Sequence, residues 1–130
     1  MPLRTRTQWF GVMLDAPDGP ELARFYQRLL GWDVLQFDND GYSASVAPSM
    51  DAGYNISCQT EKKYQPPVWP AEDGKPQMSM HLDIAVDELE ESVAFAIEAG
   101  AELAEFQPQE DVRVMLDPAG HPFCLYLDVD

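Results

Sequence analysis

Apolar residues alternate with polar or small residues along a series of short segments, and a helical spacing interrupts this alternation twice. Alternation is typical of a half-buried strand, and a spacing of about 3.6 residues is typical of an amphipathic helix. The resulting order, strand, helix and three strands, occurs twice. The predicted elements span 9–15, about 20–30, 34–37, 41–46 and 54–59, and then 80–86, 87–99, 102–106, 112–116 and 123–127. A module duplicated in this way predicts two sheets that face each other across a cleft.

Both predicted helices have sequence signals at their ends and one apolar stripe. Pro20 suits the first position of the first helix, and Gly31 suits its end. Asp87 is the predicted N-cap of the second helix, with Glu90 three residues later, and Gly100 ends it. The stripes, which are predicted to pack on the sheets, consist of Leu22, Phe25, Tyr26, Leu29 and Leu30, and of Leu89, Val93, Ala96 and Ile97.

Each predicted strand turns one apolar face toward a helix and has a second face of mixed character. That second face collects Trp9, Met13, Asn55, Ser57, Gln59, His81, Asp83, Arg113, Met115, Cys124 and Tyr126. Aromatic, thioether and hydrogen-bonding groups together are typical of a small-molecule pocket. The alternative is the solvated side of a half-exposed antiparallel sheet. We favour a pocket, because Trp, Met, Cys and Tyr are unusual choices for open surface.

The segment between the modules, residues 61–77, contains four prolines, which exclude a central strand. Tyr64, Val68 and Trp69 make it too apolar for a simple disordered spacer. It is predicted to pack across a surface, as a lid or a dimer contact. Trp69 is a candidate for stacking on a planar ligand, with ordinary aromatic packing as the alternative.

The size and composition of the chain favour one cytoplasmic domain. Its 130 residues suffice for a hydrophobic core. No apolar run approaches the roughly 20 residues that span a bilayer, no secretory signal is recognisable, and two cysteines imply no disulfide framework. The formal net charge of −15 lies mostly in the second half and disfavours nucleic acid as a partner. An acidic half can attract a cationic ligand, or it can simply be a solvated surface.

Three motifs carry a resemblance to a known family: FYQRLLGW at 25–32, HLDIAVDELEESV at 81–93 and DPAGHPFCLYLD at 117–128. With residues 64–70, they resemble the glyoxalase-like branch of the vicinal oxygen chelate superfamily, which includes glyoxalase I, bleomycin-resistance proteins and extradiol dioxygenases. The resemblance implies an α+β fold of two tandem βαβββ modules, whose curled mixed sheets surround a cleft. It also implies a homodimer. The single domain then comprises module one at about 8–60, the linker at 61–77 and module two at about 78–130.

Metal-dependent members of this superfamily bind a divalent ion through His, Glu or Gln from the first and last strands of each module. His81 matches one such ligand, and Gln59 is a candidate for a second. Gly11 or Trp9 stands where a His is expected, and Cys124 where a Glu is expected. The ligand set is therefore incomplete, and a divalent metal is less favoured than its absence.

Other roles stay open for the candidate residues. Cys124 is a nucleophile only if a base such as His81 lowers its pKa; otherwise it is a small buried residue. His81 has Asp83 as an alternative partner. Arg113 suits a ligand carboxylate or phosphate, or an internal ion pair with Asp83 or Asp111.

The sequence thus favours a protein that binds a small molecule in the cleft without a complete metal site, and leaves open whether it is an enzyme. One alternative is a metal-dependent lyase, isomerase or dioxygenase, and another is an acidic protein-interaction module. The expected partners are a small molecule and a second copy of the chain, with neither nucleic acid nor membrane. The candidate ligand-binding residues are Trp9, Met13, Asn55, Gln59, Trp69, His81, Asp83, Arg113, Cys124 and Tyr126.

Overall fold

The computed structural model describes residues 2–3, 5–38 and 41–128, which form two compact units, 1–64 and 65–130. The first unit contains β1 (Phe10–Ala16), α1 (Gly19–Leu30), β2 (Val34–Asp38), β3 (Ser43–Ala47) and β4 (Tyr54–Thr60). The second contains β5 (Leu82–Val86), α2 (Leu89–Ala99), β6 (Glu102–Leu103), β7 (Val112–Leu116) and β8 (Pro122–Leu127). The predicted α+β class and the repeated βαβββ module are confirmed.

The two sheets have the same topology. The strand order is β1-β4-β3-β2 in the first sheet and β5-β8-β7-β6 in the second. In each sheet the first and last strands of the module run parallel, and the remaining pairs are antiparallel. The parallel pair lies at one edge of the four strands, so the first strand of each module is an edge strand.

Helix α1 ends before Gly31, as its sequence predicts, but begins one residue earlier than predicted, so that Pro20 is its second residue. The backbone N–H of Glu21 donates to the side chain of Asp18, the N-cap, at 3.2 Å. Gly31 adopts φ 66°, the left-handed conformation that favours glycine, and its N–H donates to the Gln27 carbonyl at 2.8 Å. Phe25 and Tyr26 are fully buried and contact each other edge to face. The helix therefore covers the apolar face of its sheet.

Helix α2 differs from its prediction in two respects. Its N-cap is Glu88, without a side-chain capping bond, and Asp87 is not the cap. The ladder of β5 continues to Val86, whose carbonyl accepts from the N–H of Asp128, so the chain turns into the helix one residue later. The buried positions of α2 are Ala96 and Ala99, whereas Ile97 is 49% exposed because it lies about 100° around the helix from Ala96.

Strand β6 is shorter than predicted because a side chain replaces the next stretch of backbone. The Gln107 amide nitrogen donates to the carbonyls of Ala104 and Val114, at 2.8 and 2.9 Å. Its amide oxygen accepts from the N–H of Val114 at 2.8 Å. The side chain thus makes the hydrogen bonds that a longer β6 would make with β7.

The later part of the proline-rich segment packs within the second unit. The indole N–H of Trp69 donates to the carbonyl of Phe106 at 3.2 Å, and the two rings lie 5.8 Å apart between centroids. Val68 forms an isolated bridge with Gln77. Across the described ranges, no helix is both long and apolar enough to span a membrane.

Candidate functional site

The first sheet has a polar face that is joined by hydrogen bonds. The pairing of β1, β3 and β4 places Asn55 and Ser57 of β4 on the same face as Ser45 of β3. The indole N–H of Trp9 donates to Asn55 Oδ1 at 2.8 Å, and Asn55 Nδ2 donates to Ser57 Oγ at 2.7 Å. The hydroxyls of Ser57 and Ser45 share a further hydrogen bond of 2.7 Å. Four side chains from three segments therefore form one continuous polar chain.

Gly11 allows this chain to lie close to the sheet. It is paired with Asn55, and a Cβ built at Gly11 would overlap Asn55 Oδ1 and lie 3.1 Å from Asn55 Cγ. Any side chain at this position would displace the Asn55 amide. The position at which the resemblance expects a metal-binding His is thus used for packing.

A pocket of about 190 Å³ opens beside the polar chain. Its lining consists of Trp9, Val34, Gln36, Ser45, Val46, Ala47, Ser49, Met50 and Asn55. None of these residues is charged, and four of them offer an amide or a hydroxyl group. Of the predicted ligand residues, Trp9 and Asn55 line the pocket. The contributions of β2 and β3 were missed, although the polar Gln36 and Ser45 lie opposite each other in the register and signal the same face.

The other candidates in the first unit lie elsewhere on the same face. Met13 pairs with Ser57, is 51% exposed and does not line the pocket. Gln59 is half-buried, and its amide nitrogen donates to Asp15 Oδ1 at 2.7 Å. The structure therefore gives Gln59 a carboxylate partner within its own sheet.

In the second sheet, three candidates come together. Asp83 and Cys124 are paired in the parallel register of β5 and β8, and His81 precedes β5. His81 Nε2 lies 2.9 Å from Asp83 Oδ1. One donor atom from each of His81, Asp83 and Cys124 can be chosen so that all three lie within 4.8 Å of one another. These side chains form what we call the donor cluster.

The donor cluster does not support a nucleophilic cysteine. Burial, the negative charge of Asp83 and a hydrogen bond to Asp83 together raise the pKa of the Cys124 thiol from 9.0 to about 11, and burial is the largest of the three causes. A reactive thiol needs the opposite shift. Near neutral pH, Cys124 is therefore a protonated thiol that donates to a carboxylate.

The predicted placement of Arg113 and Met115 on the Cys124 face is wrong. In the antiparallel register Val114 lies opposite Cys124, whereas Arg113 lies opposite Leu125 and Met115 opposite Phe123. Every residue of β7 except Arg113 is apolar, so its alternation does not identify a face. Tyr126 does share the Cys124 face and is half-buried there.

Arg113 also has partners other than those expected. Its Nη1 donates to the carbonyls of Glu110 at 2.7 Å and Val112 at 2.9 Å. In the parts of the second unit that the structure describes, it forms no ion pair with Asp83 or Asp111. Arg113 thus holds the turn that precedes β7.

The second histidine, His121, lies in the turn between β7 and β8. His121 Nδ1 lies 2.8 Å from Asp117 Oδ2, and the backbone N–H groups of Ala119 and His121 donate to Asp117 Oδ1. Asp117 is only 4% exposed. His121 and Asp117 therefore stabilise the connection between β7 and β8.

The residues do not fit the divalent site that the resemblance implies. Gly11 has no ligand atom, and the indole N–H of Trp9 is a donor without a lone pair to offer. At the position expected for a Glu, Cys124 brings sulfur in place of a carboxylate. Ions that prefer oxygen and imidazole ligands would lack most of their coordination here.

Comparisons with known proteins agree with this architecture. The family model described as a glyoxalase-like domain matches residues 11–126. A glyoxalase/bleomycin resistance protein/dioxygenase family enzyme from Burkholderia phytofirmans PsJN superposes with a TM-score of 0.63 at 19% identity, covering 92% of this chain and 97% of that chain. A glyoxalase/bleomycin resistance protein from Albidiferax ferrireducens T118 gives 0.56 at 20% identity, covering 93% and 98%. An integron cassette protein from the mobile metagenome of V. cholerae gives 0.60 at 14% identity, covering 99% and 98%. No curated protein matches the chain.

Proposed function

Because this chain belongs to the glyoxalase-like domain family, we propose that it binds a small uncharged molecule in the pocket of its first module, without a metal ion there. The observation that carries the proposal is the chain of hydrogen bonds from Trp9 through Asn55 to the serines beside the pocket. Such a chain holds polar groups in fixed positions before a ligand arrives, which reduces the entropy lost on binding.

The pocket lining defines the class of ligand. A charged ligand would meet no opposite charge among the described residues that line the pocket. A neutral ligand can exchange hydrogen bonds with Gln36, Ser45 and Ser49 and can pack on the flat ring of Trp9, which is 38% exposed. The volume of about 190 Å³ is below the range of about 300–1,000 Å³ that is typical for drug-sized ligands. The expected ligand is therefore a compact amide, lactam or phenol-like molecule.

A fragment screen followed by thermal unfolding tests this proposal. A ligand that binds only the folded protein must raise the melting temperature. We expect stabilisation by small neutral fragments that combine a ring with a hydrogen-bonding group, and none by charged analogues of the same shape.

Variants assign the effect to the pocket. Trp9→Ala and Gln36→Ala should abolish the stabilisation, because both side chains line the pocket. Met13→Ala is the matched control, since Met13 lies on the same face, is exposed and lies outside the lining. Silence across a broad neutral library, or equal stabilisation of Trp9→Ala and the unmodified protein, would refute the proposal.

A further inference from the structure

The pocket wall of the first module contains an exposed thioether, that of Met50. This residue lies in the turn that joins β3 to β4 and is 68% exposed. Two hydrogen bonds hold the turn: the N–H of Ala52 donates to the carbonyl of Ser49 at 3.4 Å, and the hydroxyl of Ser49 donates to Asp51 Oδ1 at 2.9 Å. Because exposure governs the oxidation of sulfur side chains, Met50 combines a place in the wall with access to oxidants.

The sulfur of Met50 also contacts a polar group of the pocket. Gln36 Nε2 donates to Met50 Sδ, with 3.6 Å between the two atoms. A thioether is a weak acceptor, so the oxygen of a ligand can take over this N–H at little cost. Reduced Met50 therefore orients the Gln36 amide without withholding it from a ligand.

We propose that Met50 is a site of reversible oxidation by peroxides, and that its sulfoxide lowers the affinity of the pocket by binding the Gln36 amide. In the reaction, a lone pair of the sulfur attacks one oxygen of hydrogen peroxide. The S–O bond forms, the O–O bond breaks, and the hydrogen of the transferred oxygen joins the departing hydroxide, so that water leaves. The sulfur is oxidised by two electrons and the peroxide is reduced by two. Methionine sulfoxide reductases reverse the change.

Oxidation changes the property on which the contact with Gln36 depends. The sulfoxide oxygen is a strong acceptor, and it is attached to an atom that already accepts from Gln36 Nε2. A ligand carbonyl would then have to displace a full N–H···O bond in place of a weak N–H···S contact. The affinity should fall about two- to tenfold, which is what one such bond contributes. This effect on affinity rests on the proposed binding of a ligand in the pocket.

The other methionines of the chain provide internal controls. Met13 is 51% exposed and lies on the same sheet face outside the pocket lining, and Met80, in the second unit, is 81% exposed. Met115 is fully buried. Exposed methionines should all react with peroxide, but among the described residues only Met50 has its sulfur hydrogen-bonded to a group of the pocket.

The first test needs no ligand. The protein is treated with hydrogen peroxide, and peptide mass spectrometry measures the oxidation of each methionine. We expect Met50 to be oxidised at least as fast as Met13 and much faster than Met115. Nitrogen-15 NMR then follows the side-chain amide of Gln36, whose signals are identified by their loss in Gln36→Ala. One of its proton signals should move downfield on oxidation and return after treatment with methionine sulfoxide reductases of both stereospecificities. In Met50→Leu the same treatment should leave the signal in place.

The second test measures affinity. The fragment that gives the largest stabilisation in the thermal screen is titrated into untreated and peroxide-treated protein. Its dissociation constant should rise about two- to tenfold on treatment. The same rise is expected in Met13→Leu, because Met13 lies outside the lining, and no rise is expected in Met50→Leu. The ratio of the two dissociation constants is compared within each variant, so a change in the starting affinity does not affect the result.

The outcomes separate this proposal from the proposed function. Met50 remaining intact while Met13 is oxidised, a Gln36 signal that does not move when Met50 is oxidised, or equal affinities of the two forms would overturn the proposal. Equal affinities would leave the proposed ligand binding in place. If no fragment binds either form, the proposed function and the effect on affinity both fail, whereas the NMR experiment still decides whether the sulfoxide binds Gln36.

Discussion

Asp83 contributes to the raised pKa of Cys124, and replacing Asp83 with Asn isolates its part of the effect. At about pH 8, a thiol with the ordinary pKa of 9.0 is about one-tenth thiolate, whereas one with a pKa of about 11 is about one-thousandth thiolate. The thiolate fraction is thus roughly a hundredfold lower in Cys124. Because a thiolate of higher pKa is intrinsically more nucleophilic, its greater nucleophilicity compensates for roughly tenfold of this decrease. Cys124 should therefore react with a disulfide about ten times more slowly than an ordinary thiol.

Asp83→Asn removes the negative charge and the carboxylate acceptor but leaves the burial of Cys124, the largest cause of the raised pKa. We expect the reaction rate at about pH 8 to rise roughly two- to fivefold, within the tenfold limit. The midpoint of the pH–rate profile should move below about 11.

The assay uses an uncharged dipyridyl disulfide, so that the change in surface charge does not alter the approach of the reagent. Mass spectrometry measures the modification of the Cys124 peptide separately from that of the peptide with the second cysteine, Cys58, which is fully buried. Asp87→Asn is the matched control, since Asp87 lies four residues further along the chain and is exposed. A midpoint at or below 9 in the unmodified protein, or the same midpoint in Asp83→Asn, would contradict this reasoning.

Three further predictions concern stability. Because the folded-state pKa of Cys124 is raised, the contribution of its thiol to the free energy of unfolding is present below about pH 9 and lost between about pH 9 and 11. Over that window, the free energy of unfolding of Cys124→Ala should fall less than that of the unmodified protein. Equal slopes of the free energy of unfolding against pH would contradict the raised pKa. Gly11→Ala should cost about 1–3 kcal/mol in a denaturant titration, because its Cβ meets the Asn55 amide, and Gly11→Ala with Asn55→Gly should recover part of the loss. Gln107→Ala should cost about 1–3 kcal/mol by leaving the N–H of Val114 without its acceptor, whereas the exposed Gln109→Ala should cost almost nothing.

The repeated module could be predicted because polar and apolar residues alternate clearly in its last strands, β4 and β8. In β4, Asn55 and Ser57 alternate with the buried Ile56, and in β8 the buried Leu125 separates Cys124 from Tyr126. Contrast between neighbours is the physical signal for a half-buried strand, so these faces followed from the sequence alone.

The face of β7 and the length of β6 could not be predicted in this way. Strand β7 has apolar residues at both parities, so its face depends on pairing with β8. Strand β6 ends where the side chain of Gln107 makes the hydrogen bonds that backbone groups would otherwise make. The alternation of polar and apolar residues does not indicate such a side-chain role. The sequence predicts only part of the pocket lining, because Gln36 and Ser45 have no recognisable motif around them.

The hydrogen bonds beside the pocket also have a direction. The indole of Trp9 can only donate, so the side-chain oxygen of Asn55 accepts this hydrogen bond. The amide N–H of Asn55 then donates to Ser57. Polarisation along the chain favours Ser57 donating in turn to Ser45, a residue of the pocket wall. The hydroxyl hydrogen of Ser45 is then available to donate to a ligand. A ligand with a carbonyl acceptor would therefore bind in preference to one that carries only N–H donors.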